Sequence, residues 1–140
     1  MVRILGNQNS ILNQFIAELR DINVQNDFMR FRRNLERCGE IFAYELSKEL
    51  NFQSNQVQTP LGVAEINLPN ETIVLATILR AGLPLHQGML NYFDKAENGF
   101  ISAYRKYSND GTFRIQFEHI SCPNIEGKTL DKIYARTGYG

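Results

Sequence analysis

IVLATILRAGLPLHQGML, residues 73–90, contains a strand, a charged turn and the start of a helix in immediate succession. Ile73 to Leu79 are apolar or small except for Thr77, a composition typical of a strand buried on both faces. The pattern from Leu83 to Tyr92 predicts a short helix, and the proline near its start is tolerated in a first turn. A strand followed directly by a helix indicates the α/β class.

The turn between these elements is Arg80-Ala81-Gly82. In open parallel sheets, ligands bind at the carboxyl edge of the strands, which is where this turn lies. An arginine beside backbone amides that a glycine leaves accessible suits a phosphate or diphosphate. The alternative is an ordinary strand–turn–helix with an exposed arginine, and a motif this short by itself favours that alternative.

Two helices are predicted before this stretch. Apolar residues from Ile11 to Leu19 recur at helical spacing, and Asn9 or Ser10 is a suitable N-cap. A longer helix is predicted from about Asn26 to Leu50. Residues 1–6 are expected to form a short strand.

The first half of the longer helix carries four arginines: Arg30, Arg32, Arg33 and Arg37. They could form a phosphate or RNA footprint. We favour a solvated helix face on which they pair with Glu36, Glu40 and Glu45. Because basic residues oppose the helix dipole near a helix start, an acidic group, either of this chain or of a partner subunit, is expected to compensate.

Further strands are predicted on both sides of the central stretch. Short β-like runs cover Val57–Thr59 and Val63–Ile66, and Gly99–Tyr104 forms another strand. Asn109-Asp110-Gly111 marks a turn, after which Thr112–Ile120 alternates like the second arm of a hairpin. The fold class is therefore α/β, with a parallel sheet flanked by helices and an inserted β-hairpin.

Composition limits the function classes. The chain is 43% hydrophobic and carries fifteen basic and fifteen acidic residues, so its formal net charge is zero. This balance disfavours nucleic-acid and membrane partners. No signal peptide or metal-ligand spacing is present, and Cys38 and Cys122 are interpreted as buried free thiols of a cytoplasmic protein. His86 and His119 are given no catalytic role, because a lone histidine is more often structural.

Three segments in order, ILRAGLPLHQGML, AENGFISAYRKY and CPNIEGKTL, resemble the uracil phosphoribosyltransferase family of type I phosphoribosyltransferases. The resemblance extends over about residues 1–130. It implies the reaction of uracil with phosphoribosyl diphosphate to give UMP and diphosphate in pyrimidine salvage. It also implies Mg²⁺ bound with phosphoribosyl diphosphate, a homo-oligomer and a GTP effector.

The resemblance also implies the site residues. Arg80, Ala81 and Gly82 would bind phosphoribosyl diphosphate beside a non-proline cis peptide bond, and Arg105 would be a second cation at the base of a mobile hairpin. Asp131 would assist the ribose, while Thr137 and Gly138 would hold the 5′-phosphate as parts of a phosphate loop.

The last ten residues match the family least. Residues 1–130 are interpreted as the N-terminal part of a phosphoribosyltransferase domain, and 131–140 as a divergent tail in place of the phosphate loop. A frameshift after about Leu130 is one explanation, and a truncated paralogue or an excerpt of a longer protein is the other. On either explanation we expect an incomplete type I fold with doubtful transferase activity. The alternative function is a non-catalytic subunit that oligomerises with or regulates an intact relative.

Overall fold

The computed structural model describes residues 4–133. After a 3-10 turn at Leu5–Asn7, the three α-helices are α1 (Ile11–Arg20), α2 (Phe28–Ser47) and α3 (Leu83–Leu90). The six strands are β1 (Phe52–Thr59), β2 (Gly62–Pro69), β3 (Ile73–Leu79), β4 (Glu97–Tyr107), β5 (Phe113–Ser121) and β6 (Thr129–Ile133).

The strands form two sheets. β1 and β2 are an isolated antiparallel hairpin, while the main sheet has the order β5-β4-β3-β6. β3 runs parallel to both β4 and β6, and β5 returns antiparallel to β4. The predicted α/β class with an inserted hairpin is confirmed.

β3 has the predicted bounds and lies between two parallel neighbours. Val74 and Leu75 have no exposed surface, and Thr77 is 1% exposed. A run of seven residues with one hydroxyl forms such a strand because both of its faces are covered.

Helices α2 and α3 pack on the sheet face that carries Leu75, which shares a buried cluster with Ala43 of α2 and Met89 of α3. The two helices approach to backbone contact, since a Cβ on Gly39 would lie 3.1 Å from the Cα of Gly88. Helix α1 packs on α2 through a second cluster formed by Leu12, Cys38 and Leu85.

Side chains cap the starts of the first two helices. The Ser10 hydroxyl accepts a 3.3 Å hydrogen bond from the Leu12 amide, as one of the two predicted caps. The Asp27 carboxylate accepts a 3.0 Å hydrogen bond from the Arg30 amide. An aspartate at this position also offsets the arginines of the first turns, because it places negative charge at the positive end of the helix.

The arginine-rich part of α2 is a half-exposed surface with partners inside the chain. Arg33 pairs with Glu36 at 2.8 Å, as predicted. Arg30 pairs with Glu18 of α1 and with Asp27, each at 3.5 Å, rather than with the predicted glutamates. The acidic compensation at this helix start therefore comes from the chain's own carboxylates.

The structure corrects three predictions. Leu5–Asn7 is a 3-10 turn and not part of a strand, and residues 1–3 lie outside the described range. Strand β1 begins at Phe52 and not at the predicted Val57, because its polar residues pair with β2 in a two-stranded hairpin that needs no apolar face. Cys122 is exposed, because it follows the edge strand β5 on a side of the sheet that no helix covers. Across residues 4–133, no helix is long and apolar enough to cross a membrane.

Candidate functional site

The turn after β3 brings Arg80 to the carboxyl edge of the sheet. The Leu79–Arg80 peptide bond is cis, as the resemblance implied, and the turn closes through a 3.2 Å hydrogen bond from the Leu83 amide to the Arg80 carbonyl. The Arg80 side chain is exposed. Among the side chains of residues 4–128 it has no ion-pair or hydrogen-bond partner, so its guanidinium is available to an anion.

Gly82 holds the turn against the strand. Its buried amide donates a 3.1 Å hydrogen bond to the Ile78 carbonyl, so it is already engaged. A Cβ here would clash with the Thr77 hydroxyl and lie 2.8 Å from the Ile78 carbonyl oxygen. Ala81 is exposed, and its amide takes no part in the backbone hydrogen bonds of the described turn. The Ala81 amide is therefore the free backbone donor of the turn, while the missing side chain of Gly82 lets the turn pack closely against β3.

Arg105 reaches the same edge from β4. Ser102 lies beside Leu79 in the parallel register, and Arg105 follows three residues later, roughly 10 Å further along the strand. The exposed guanidinium lies over the Phe113 ring, 5.0 Å from its centroid. No carboxylate within the described residues pairs with it. The two predicted arginines thus extend from neighbouring parallel strands.

The third predicted element lies apart from them. Asp131 pairs in register with Leu75, four residues before the end of β3, roughly 13 Å from the Arg80 edge along the strand. Its catalytic role stays a prediction. Thr137 and Gly138 lie outside the described residues.

Hydrogen bonds order the tip of the β4–β5 hairpin near Arg105. Asp110 accepts hydrogen bonds from the Thr112 hydroxyl at 2.6 Å and from its amide at 2.9 Å. These bonds lower the pKa of Asp110. Gly111 adopts φ of +82°, a conformation that glycine favours, so Asn109-Asp110-Gly111 forms the predicted turn.

A cavity of about 700 Å³ lies between α2, α3 and β4. His86 in its wall is 4% exposed, and its Nε2 donates a 2.7 Å hydrogen bond to the Asn98 Oδ1. The imidazole packs against the Phe100 ring, with 5.4 Å between the ring centroids. The structure therefore gives His86 a packing role. No local motif identifies Asn98 as its partner, because the two residues meet only through the β3–α3–β4 crossover.

The described side chains of residues 4–128 contain no group of three or more histidine, cysteine, aspartate or glutamate residues that could hold a metal ion.

Comparison with known proteins identifies the fold and its relatives. The family model described as uracil phosphoribosyltransferase matches residues 6–119. A uracil phosphoribosyltransferase of Porphyromonas gingivalis is 56% identical over 126 residues, covering 90% of this chain and 58% of the relative. One from Methanothermobacter thermautotrophicus is 35% identical over 133 residues, covering 93% and 59% respectively.

Among solved structures, the AQ2163 protein of Aquifex aeolicus superposes with a TM-score of 0.78 at 24% sequence identity. The match covers 94% of this chain and 60% of that protein. The chain therefore spans somewhat more than half the length of the proteins it matches. Together these similarities identify its architecture as a partial type I phosphoribosyltransferase fold.

Proposed function

The chain belongs to the uracil phosphoribosyltransferase family, and we propose that it binds phosphoribosyl diphosphate through Arg80 and Arg105 for transfer of the ribose phosphate to uracil. The products are UMP and diphosphate. The observation that carries the proposal is the placement of two unpaired arginines at the carboxyl edge of adjacent parallel strands.

The chemistry explains why these groups suit the reaction. When the bond between the ribose and the diphosphate breaks, negative charge accumulates on the departing diphosphate. Fixed cations and amides aimed at that charge stabilise the transition state more than the ground state. The Arg80 fork can bind two phosphate oxygens at once, and the Ala81 amide beside it is a further donor.

Mg²⁺ enters the proposal as part of the ligand. The described residues do not form a protein cage for it, and Mg²⁺ in such sites is commonly held largely by phosphate oxygens and water. Bound in that way it would neutralise diphosphate charge.

A non-catalytic subunit is the second candidate. It is favoured by the uncovered side of the main sheet, on which Phe117 is 60% and Ile120 is 62% exposed. On this proposal the chain binds the ligand without turnover. Purified chain supplied with uracil, phosphoribosyl diphosphate and Mg²⁺ decides between the two: UMP formation supports the transferase, and ligand binding without UMP supports the subunit.

Association and regulation extend the proposal. Hairpin β1–β2 exposes Leu61 fully and Val63 by 63%, which supports self-association through this arm. Sedimentation of the chain and of Val63→Lys tests it, and an unchanged mass would contradict it. The proposed GTP effector is tested by repeating the thermal unfolding of the chain with phosphoribosyl diphosphate in the presence and absence of GTP.

Ligand-dependent thermal unfolding tests the binding site. Phosphoribosyl diphosphate with Mg²⁺ at about 100 times its Kd should stabilise the chain by about 2.7 kcal/mol, on the order of 10 °C in Tm. Arg80→Ala and Arg105→Ala should each lose most of this shift while keeping the unliganded Tm. Arg114→Ala is the matched control, because Arg114 lies opposite Lys106, one residue along from Arg105, and alternation along the strand puts its side chain on the other face of the same hairpin. An undiminished shift in both arginine variants would refute the assignment.

A further inference from the structure

His86 is buried between α3 and β4, and packing alone does not explain a histidine at this position. Its side chain is 4% exposed, and its Nδ1 has no hydrogen-bond partner among the described residues. A buried polar atom without a partner lowers stability, so packing alone would favour an apolar side chain of similar size. The hydrogen bond of the other ring nitrogen is therefore the feature that distinguishes His86 from an ordinary core residue.

Asn98 holds the imidazole in one orientation. The Asn98 Nδ2 donates a 3.4 Å hydrogen bond to the Ala96 carbonyl, and its Oδ1 lies 2.7 Å from the His86 Nε2. Because an amide oxygen only accepts hydrogen bonds, Nε2 carries the proton of the ring. The Phe100 ring packs beside the imidazole on the same strand. His86 is thus attached to β4 by a hydrogen bond and by an aromatic contact.

The backbone of His86 is attached to the candidate turn. Its amide donates a 2.9 Å hydrogen bond to the Gly82 carbonyl, while the Gly82 amide donates to the Ile78 carbonyl of β3. The turn is therefore bonded to β3 directly and to β4 through His86. Among the described residues, the bond between His86 and Asn98 is the only hydrogen bond that joins α3 to β4.

The contacts around His86 close into a ring beneath the turn. Gly82 lies against the Thr77 hydroxyl, and Thr77 pairs with Phe100 in the parallel register. Phe100 packs on His86, whose amide returns to Gly82. Because protein interiors are close-packed, a shift of the turn has to displace at least one of these buried groups.

We propose that His86 is a positioning residue of the candidate site, which fixes the turn that carries Arg80 relative to β4, the strand that carries Arg105. The inference rests on the proposed binding of phosphoribosyl diphosphate, because the two arginines have to meet one ligand. Groups that are already held at the right spacing bind more tightly, since less freedom is lost when the ligand arrives. His86 acts through the turn and is assigned no contact with the ligand.

The Kd of the full chain for phosphoribosyl diphosphate with Mg²⁺, measured by calorimetry, tests this role. His86→Leu keeps an apolar side chain in place but loses the bond to Asn98, and Asn98→Ala removes the same bond from the β4 side. Each should weaken binding by up to about tenfold, the equivalent of one hydrogen bond. The double variant should lose no more than either single one, because both remove one interaction. His86→Gln should restore most of the affinity, since its amide can donate where Nε2 does.

Two comparisons separate positioning from a general effect on the fold. Gln87→Leu is the matched control, because it removes a 3.0 Å side-chain hydrogen bond from the next residue of α3, but to Asn91 at the end of that helix and not to β4. Its Kd should equal that of the parent chain. In an Arg105→Ala chain the spacing of the two arginines no longer matters, so adding His86→Leu should weaken binding much less than it does in the parent.

Hydrogen exchange of the Gly82 amide measures the same role without a ligand. This amide is bonded to Ile78, and it should exchange about tenfold faster in His86→Leu and Asn98→Ala than in the parent and Gln87→Leu chains. If the parent chain does not bind phosphoribosyl diphosphate, the proposed function fails and the exchange rate alone decides on His86. If His86→Leu does not fold, Asn98→Ala supplies both measurements.

Three results would overturn the inference. The first is an unchanged Gly82 exchange rate in the folded variants. The second is an unchanged Kd in His86→Leu and Asn98→Ala when the parent chain binds. The third is an equal loss of affinity in Gln87→Leu, which would make the effect a property of α3 as a whole.

Discussion

Replacing Gly82 with alanine tests whether close approach of the turn to β3 sets the geometry of the candidate site. Gly82 has φ of −74° and ψ of −14°, a conformation open to any L-residue. The effect of an added methyl group at this position therefore comes from its neighbours and not from backbone conformation. This makes the sign of the change in stability informative.

Two opposing contributions set the change in the free energy of unfolding caused by Gly82→Ala. At a site with open space, Gly→Ala stabilises a protein by about 0.4–1 kcal/mol, because alanine has less freedom when unfolded. At Gly82 the methyl group would clash with the Thr77 hydroxyl and lie 2.8 Å from the Ile78 carbonyl oxygen. That oxygen accepts the hydrogen bond from the Gly82 amide, and Ile78 belongs to a strand that is paired with β4. The oxygen therefore cannot move away from an added methyl group without disturbing these contacts. Overpacking of this kind costs about 1–3 kcal/mol, so we expect net destabilisation.

Urea unfolding of four chains measures the effect. Gly82→Ala and Thr77→Ala are compared singly and together with the parent chain. Because Thr77→Ala removes the clashing hydroxyl, which has no hydrogen-bond partner among the described residues, the double variant should recover about 0.5 kcal/mol or more relative to additivity. Gly6→Ala is the control, since its nearest neighbour is 4.0 Å away, at Ile16.

The same variant tests the site. A displaced turn moves Arg80 and the Ala81 amide, so Gly82→Ala should also lose the stabilisation by phosphoribosyl diphosphate. A Gly82→Ala chain that is as stable as the parent, with no coupling to Thr77→Ala, would refute the steric argument. A destabilised variant with an undiminished ligand shift would refute only the link to binding.

Three further predictions follow from other parts of the structure. Gly88→Ala should destabilise by about 1–3 kcal/mol in urea unfolding, because its Cβ would clash with the Glu36 carbonyl of α2. The hydrogen bond from Arg33, followed by that from Asn91, lowers the pKa of Glu36. Its stabilisation is therefore present above the unfolded pKa and lost as pH falls, and Glu36→Gln should reduce the loss of stability between about pH 5 and pH 3. Cys38, with a pKa near 11, should label only on unfolding while Cys122 labels in the native chain; simultaneous labelling at pH 8 would contradict this.

Local pattern predicts the centre of the fold well. The bounds of β3, the cap at Ser10 and the turn at Asn109-Asp110-Gly111 each depend on signals within a few residues. The order of strands and helices also follows, because a buried strand and a crossover helix leave few arrangements of a parallel sheet. The family resemblance added Arg105, which local sequence marks only as an arginine next to a turn.

Interactions between distant residues were harder to predict. Strand β1 was predicted three residues long, because its polar first half carries no alternating pattern, yet it pairs throughout with β2. Cys122 was predicted buried from residue type alone, but its exposure depends on which side of the sheet the helices occupy. The sequence likewise could not predict that the Gly82 amide is already hydrogen-bonded, because its acceptor, the Ile78 carbonyl, is set by the path of the turn.

Several glycines of this chain lie where two of its segments approach each other closely. Gly39 and Gly88 lie where α2 and α3 touch, and Gly82 lies where the turn meets β3; in each case a Cβ would strike backbone or a buried hydroxyl. Gly99 lies inside strand β4, where a Cβ would be 3.0 Å from the Cys122 sulfur and 3.5 Å from the Ala76 Cβ. Glycine weakens a strand interior, and it is found there where a bulge forms or another chain segment approaches closely. The bulge of β4 and β5 lies further on, between Ser102 and Ala103. Close approach is thus the physical reason for a glycine at this position, and the segment that approaches is Cys122 of the same chain, just after β5.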